Sequence, residues 1–233
     1  ASLDTTFNGT GIVKLPLGLT ATVEDIAIQT NNAIVSVGSK GDNALIVRIL
    51  DNGTLDSAGF VPTDGYLSQD LDTNAGNTDF LKRVKIKTDG SIVAVGYTMN
   101  SGPTINNIVM QVSSSGSMDL SFGINGIASY NYDSPGAKTF AMAFDATERV
   151  LTTGLNHNGT NDDIFIARVT TTGALDTNFN GATGGILFDY QGTESATAII
   201  FRADGTVVIA GSDDLNLFPT NFFFIQKFNL VEP

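Results

Sequence analysis

Four apolar runs in this chain end on a glycine, and the glycines recur at an almost constant interval. They are "AIVSVG" at Gly38, "SIVAVG" at Gly96, "RVLTTG" at Gly154 and "TVVIAG" at Gly211, spaced by 58, 58 and 57 residues. A regular period of this length marks a repeat architecture in which each unit is one supersecondary module. Twelve residues before each glycine lies a second apolar segment, beginning at Ile26, Val84, Met142 and Ile199. Between the two segments stand Asn31-Asn32, Asp89-Gly90, Thr147-Glu148 and Asp204-Gly205. Asn, Asp and Gly tolerate positive φ, so each unit is expected to hold a tight two-residue hairpin, with the weakest turn chemistry at Thr147-Glu148.

A third apolar segment follows a variable loop in each unit: "ALIVRIL" from Ala44, "NIVMQV" from Asn107, "DIFIARV" from Asp163 and "NFFFIQKF" from Asn221. After it comes a Leu/Met-Asp motif and a fourth, more alternating segment, as in Leu67, Ser68, Gln69, Asp70 and Leu71. Middle strands apolar on both faces with a half-wet outer strand suit a propeller blade, which neighbouring blades cover on both sides. A sandwich sheet would alternate along most of its strands. The expected fold is therefore all-β: a four-bladed β-propeller of four-stranded antiparallel blades. It forms a single domain over 1–233, with repeat units near 1–53, 54–116, 117–173 and 174–233. The sequence starts with a joint motif, "SLDTTFNGTGIV", and reaches a third strand at "NFFFIQKFNLVEP". The N-terminal strand, Gly11 to Leu17, is therefore expected to complete the last blade and close the ring.

"DGSIVAVG", "GALDTNFN" and "GSMDLSFGINGI" together resemble the bacterial delta-60 repeat, in which a third strand ending near an Arg precedes Gly-x-Leu-Asp-x-x-Phe-Gly. The resemblance spans the chain. Departures are an inserted residue between Asp56 and Phe60, and Gln111 and Lys227 where Arg48 and Arg168 carry the family's Arg. The resemblance implies a propeller in large surface or secreted bacterial proteins, hence an extracellular or cell-surface location, and no established catalysis.

The formal charge of −12 excludes an electrostatic footprint for nucleic acid. With no cysteine there is neither a disulfide framework nor a thiolate metal site, and no apolar run is long enough for a membrane-spanning helix. Because Asp4, Phe7, Asp56, Phe60, Asp119, Phe122, Asp176 and Phe179 recur in every unit, they are read as structural joints, the carboxylates capping turns and the rings filling gaps between blades. Function is sought where the units differ, in the loops. Asp42, Asp79, Asp162, Asp163, Asp213, Asp214 and Phe218 are the candidate ligand-binding residues of an acidic loop face, with Asp72, Asp133 and Glu194 adding to its charge. Asp70, Asp72 and Asn74 form a calcium candidate, though its glycine comes one place late and Leu81 stands where a twelfth-position Glu belongs. One histidine, His157, gives a catalytic relay little to build on. The expected function is a non-catalytic module binding a glycan, protein or cation, without nucleic acid, membrane insertion or cofactor beyond calcium. The alternative is a structural subunit that self-assembles head to tail through its N-terminal strand.

Overall fold

A computed structural model describes residues 1–18, 20–61, 64–71, 77–99, 105–132, 136–180, 183–190, 192–214 and 222–230. The described residues form four antiparallel sheets with no helix. Blade 1 holds β1 (Ala21–Ile28), β2 (Ile34–Lys40), β3 (Asn43–Ile49) and β4 (Tyr66–Gln69). Blade 2 holds β5 (Thr78–Ile86), β6 (Ile92–Met99), β7 (Ile105–Val112) and β8 (Ile127–Tyr130). Blade 3 holds β9 (Lys138–Phe144), β10 (Val150–His157), β11 (Asp162–Val169) and β12 (Gly185–Phe188). Blade 4 holds β13 (Glu194–Phe201), β14 (Thr206–Asp213) and β15 (Phe222–Asn229). Strands pair in chain order within every blade.

The periodic glycines owe their identity to a bulge. Opposite each of Gly38, Gly96, Gly154 and Gly211 the first strand carries one extra residue, and the register slips. There the carbonyl of Thr22, Phe80, Lys138 or Ser195 would lie within 2.0 Å of a Cβ, so only a side chain reduced to hydrogen fits. The hairpin turns differ from the expected two-residue form. Asn32, Gly90, Glu148 and Gly205 alone have positive φ, and each donates its N–H to the carbonyl three residues back. These are three-residue loops built on a type I turn, whose last residue is left-handed. That geometry asks for one permissive residue, which is why Thr147-Glu148 turns as the others do.

The core lies between blades. Val35, Ile46, Leu81 and Val84 join blades 1 and 2; Val95, Val109 and Met142 join blades 2 and 3; Ile164, Ile166 and Ile199 join blades 3 and 4. The outward side chains of the two end strands, β1 and β15, are exposed. On β1, Val23, Ile26 and Ile28 are 65%, 60% and 65% exposed; the residues at the equivalent positions of β5, Leu81, Val84 and Ile86, pack into the first junction. On β15, Phe223 and Ile225 are 84% and 70% exposed, whereas their counterparts Ala44 and Ile46 on β3 are buried.

The expected closure by the N-terminal strand is not formed. Among the described residues nothing pairs with the outer edge of β15, and blade 4 has three strands. Residues 11–17 lie against blade 1 instead, with Val13, Leu15 and Leu17 packed on Leu45, Val47 and Ile49. The physical reason is apolar burial: Val13, Leu15 and Leu17 cover Leu45, Val47 and Ile49, as Leu67 of β4 packs on the junction with blade 2.

Gly96→Ala is expected to lower stability by about 1–3 kcal/mol or more through forced backbone displacement. Phe122→Ala, which empties a buried ring from the second junction, should lower it by about 3–5 kcal/mol. Urea unfolding midpoints at fixed m-value check both.

Candidate functional site

Each joint is a reverse turn with an aspartate at its start. Phe60, Phe122 and Phe179 are buried in the three junctions. Gly65, Gly126 and Gly184 donate their N–H to the carbonyls of those phenylalanines. The aspartate accepts from the third strand of its own blade. Arg48 Nε lies 2.8 Å from Asp56 Oδ2, Gln111 Nε2 2.6 Å from Asp119 Oδ2, and Arg168 Nε 2.8 Å from Asp176 Oδ2. The guanidinium groups also cover the joint rings, Arg48 over Phe60 at 4.9 Å and Arg168 over Phe179 at 4.7 Å. Beyond their own blades, the first two of these joints grip the next: Val61 N–H donates to the Ser115 carbonyl and Gly123 N–H to the Thr172 carbonyl, both at 2.8 Å.

A further row of residues completes these sockets: Gln29, Lys87, Asp145 and Arg202, each just after the first strand of its blade. Sequence reasoning missed this row, although its constant position beside the hairpin turn was a usable signal. In blade 1, Arg48 Nη1 is 3.3 Å from Gln29 Oε1, and in blade 2 Lys87 Nζ donates to Gln111 Oε1 at 2.8 Å. In blade 3, Arg149 Nε meets Asp145 Oδ2 at 2.6 Å, and Arg168 Nη1 lies 3.8 Å from the same atom. Burial pushes the Asp145 carboxyl up, but the Thr147 N–H and hydroxyl and the Arg149 side chain and N–H outweigh it and hold it below its ordinary value. Asp119 is likewise held low, first by the Ser121 hydroxyl.

Blade 4 has the cationic half of a socket. Arg202 and Lys227 share Asp204, at 3.4 Å and 3.8 Å. The anionic half stands at the other end of the molecule. Residues 4–11 fold as the other joints do, with Gly11 N–H donating to the Phe7 carbonyl and Asn8 N–H donating to the Asn52 carbonyl of the blade 1 turn. Among the described residues the Asp4 carboxylate accepts from Thr6, whose hydroxyl and N–H hold it low. The Oδ2 atom that takes a third-strand side chain in the other joints has no such donor here among the described residues.

The loop candidates scatter. Asp79 is buried, accepting from Leu71 N–H at 2.8 Å, and its own N–H bonds to the Asp42 carbonyl. Asp162 Oδ1 lies 2.8 Å from His157 Nδ1 where the facing ends of β10 and β11 meet. Asp214 accepts from Thr193 N–H, and Asp213 ends β14 opposite Glu194. Of the calcium candidate, only Asp70 is described; Asp72 and Asn74 lie outside the described residues, as do Phe218 and Asp133. What the fold does assemble is Asp163, Asp189 and Glu194, which offer carboxylate oxygens within 4.8 Å of one another. Asp163 and Glu194 are buried and Asp189 is exposed. Asp189 escaped sequence reasoning because its nearness to the other two depends on how blade 4 seats on blade 3.

A family model described as a domain of unknown function, DUF5122, beta-propeller, matches residues 87–122 and 149–179. Both matches run from a hairpin turn through a third strand to a joint phenylalanine. The fold is that of a β-propeller repeat. No curated protein matches the chain.

Arg168→Met should destabilise by about 3–5 kcal/mol, since it leaves two buried carboxylates facing one remaining guanidinium. The depressed Asp145 carboxyl makes stability acid-sensitive. Its contribution is complete above the unfolded value of about 3.9 and is lost as pH falls through the lower folded value. Urea midpoints should therefore drop below about pH 4, and Asp145→Asn should flatten that drop while lowering stability at neutral pH.

Proposed function

We propose that the chain is a non-catalytic interaction module whose partner is a second copy of itself, engaged head to tail. The observation that carries this reading is the split socket: Arg202 and Lys227 on blade 4, and the pre-folded Asp4 joint on blade 1. Docking the joint of one copy onto blade 4 of another supplies the anion that the other three sockets hold. It also lays residues 11–17 along the free edge of β15, as β4 lies along β3. The same movement covers Phe223 and Ile225 with Val23, Ile26 and Ile28. The exposed outward side chains of β1 and β15 support this reading, since they are the surfaces that a second copy would cover. A heterologous contact of this kind propagates or closes into a larger ring.

Absence of catalysis is part of the proposal. It is supported by the engagement of most loop carboxylates in turns and ion pairs and by the pairing of His157 with Asp162. A cell-surface setting is proposed from the resemblance to the delta-60 repeat. A second reading, a glycan or protein bound at the loops, is favoured by a cleft of about 290 Å³ lined by Tyr190, Asp213, Phe224, Ile225 and Gln226.

Sedimentation velocity over a wide concentration range should reveal species larger than the monomer, weakened by salt. Asp4→Lys and Lys227→Asp should each abolish them, and the double variant should restore them. A chain that stays monomeric throughout overturns the assembly reading. In that case saturable binding on a glycan and protein array, lost in Asp213→Asn, favours the second.

A further inference from the structure

Between blades 3 and 4, three acidic side chains converge from separate elements. Asp163 belongs to β11, Asp189 follows β12 and Glu194 opens β13. Their carboxylate oxygens lie within 4.8 Å of one another. Oxygens bound to one calcium ion at about 2.4 Å can be no farther apart than about 4.8 Å, so the three carboxylates are close enough to share a hard cation. Proximity of carboxylates alone would carry nothing, because acidic groups gather on surfaces without ligands.

Glu194 supplies the second observation. The residue is fully buried, and among the described residues its Oε2 has no hydrogen-bond partner. The other oxygen, Oε1, accepts the Gly192 N–H at 2.6 Å. A buried carboxylate oxygen left without a partner costs desolvation energy that a bound cation would recover. Burial pushes the Glu194 carboxyl up, and the charges of Asp213 and Asp163 add to this against the Gly192 and Tyr190 backbone.

The surroundings hold the ligands in place. Asn158 Nδ2 donates to Asp163 Oδ2 at 3.0 Å, and Asn161 Nδ2 donates to the Gly192 carbonyl at 2.5 Å. These bonds orient one ligand and the backbone that grips another, the supporting role that outer groups play around metals. Exposed Asp189 leaves one side open to solvent, which gives an ion an entry path and room for the waters that calcium retains.

We propose that Asp163, Asp189 and Glu194 bind a divalent cation of the calcium class across the junction of blades 3 and 4. The site is separate from the Asp70–Asn74 stretch and does not depend on head-to-tail assembly. Its ligands come from two blades, so the ion would fasten the last blade to the third and raise stability by mass action.

The test uses the whole chain, stripped with chelator and titrated with Ca²⁺, with Mg²⁺ as comparison. Thermal unfolding should shift upward with Ca²⁺ concentration, and Tb³⁺ should give luminescence sensitised by tyrosine, with Tyr190 next in sequence to Asp189. Glu194→Gln, an isosteric change, and Asp189→Asn, an exposed one, should each weaken binding by on the order of tenfold or more. Asp162→Asn, whose carboxylate faces His157, should leave it unchanged. The proposal is overturned if the unaltered chain shows neither a Ca²⁺-dependent shift nor a Tb³⁺ signal. It is equally overturned if both responses survive in Glu194→Gln and Asp189→Asn. Should Glu194→Gln fail to fold, Asp189→Asn decides.

Discussion

The joint between blades is the interaction on which the rest of the structure depends. A short turn places an aspartate against the third strand of its own blade, a phenylalanine in the junction, and a backbone N–H on the turn of the following blade. A charge-assisted bond fixes the turn within its own blade, the packed aromatic ties each blade to the next, and at the first two junctions a main-chain hydrogen bond does so too. Gly116 shows how tight the fit is, since a Cβ there would fall 2.7 Å from the Phe60 ring.

Charge balance across the sockets is conserved in kind while the residues change. Gln29 with Arg48 and Asp56, Lys87 with Gln111 and Asp119, and Asp145 with Arg149, Arg168 and Asp176 each approach neutrality, by exchanging which position carries the cation. Burial makes such balance necessary, because an unpaired charge between packed sheets is far costlier than a mismatched size. Blade 4 departs, with two cations sharing one exposed aspartate. Its departure matches the equally exposed Asp4, and that match is the basis of the assembly reading.

The acidic character of the chain divides on the same physical ground. Some carboxylates are consumed by turns, as Asp89 and Asp204 are by Ser91 and Thr206. Others are consumed by sockets. Asp163, Asp189 and Glu194 differ because β11, the segment after β12 and β13 deliver them to one point. No local pattern relates residues 163, 189 and 194, so only the seating of one blade on another could disclose them.

Repetition made the blades legible before any coordinates. The glycine interval, the turn pairs and the Leu-Asp-x-x-Phe motif are local devices, dictated by bulge sterics, by positive φ and by short-range hydrogen bonding. They specify a blade wherever they occur. Where the N-terminal strand rests was not a local matter. Its alternation suits the outer edge of any blade, and the structure sets Val13, Leu15 and Leu17 on blade 1 while β15 keeps a free edge. Likewise, the identity of the residues that face one another across junctions is decided by how sheets twist and stack. The repeating module and its joint are thus written in local sequence. Which faces are covered, which sockets are filled and which carboxylates meet follow from packing between units, which the period alone does not encode.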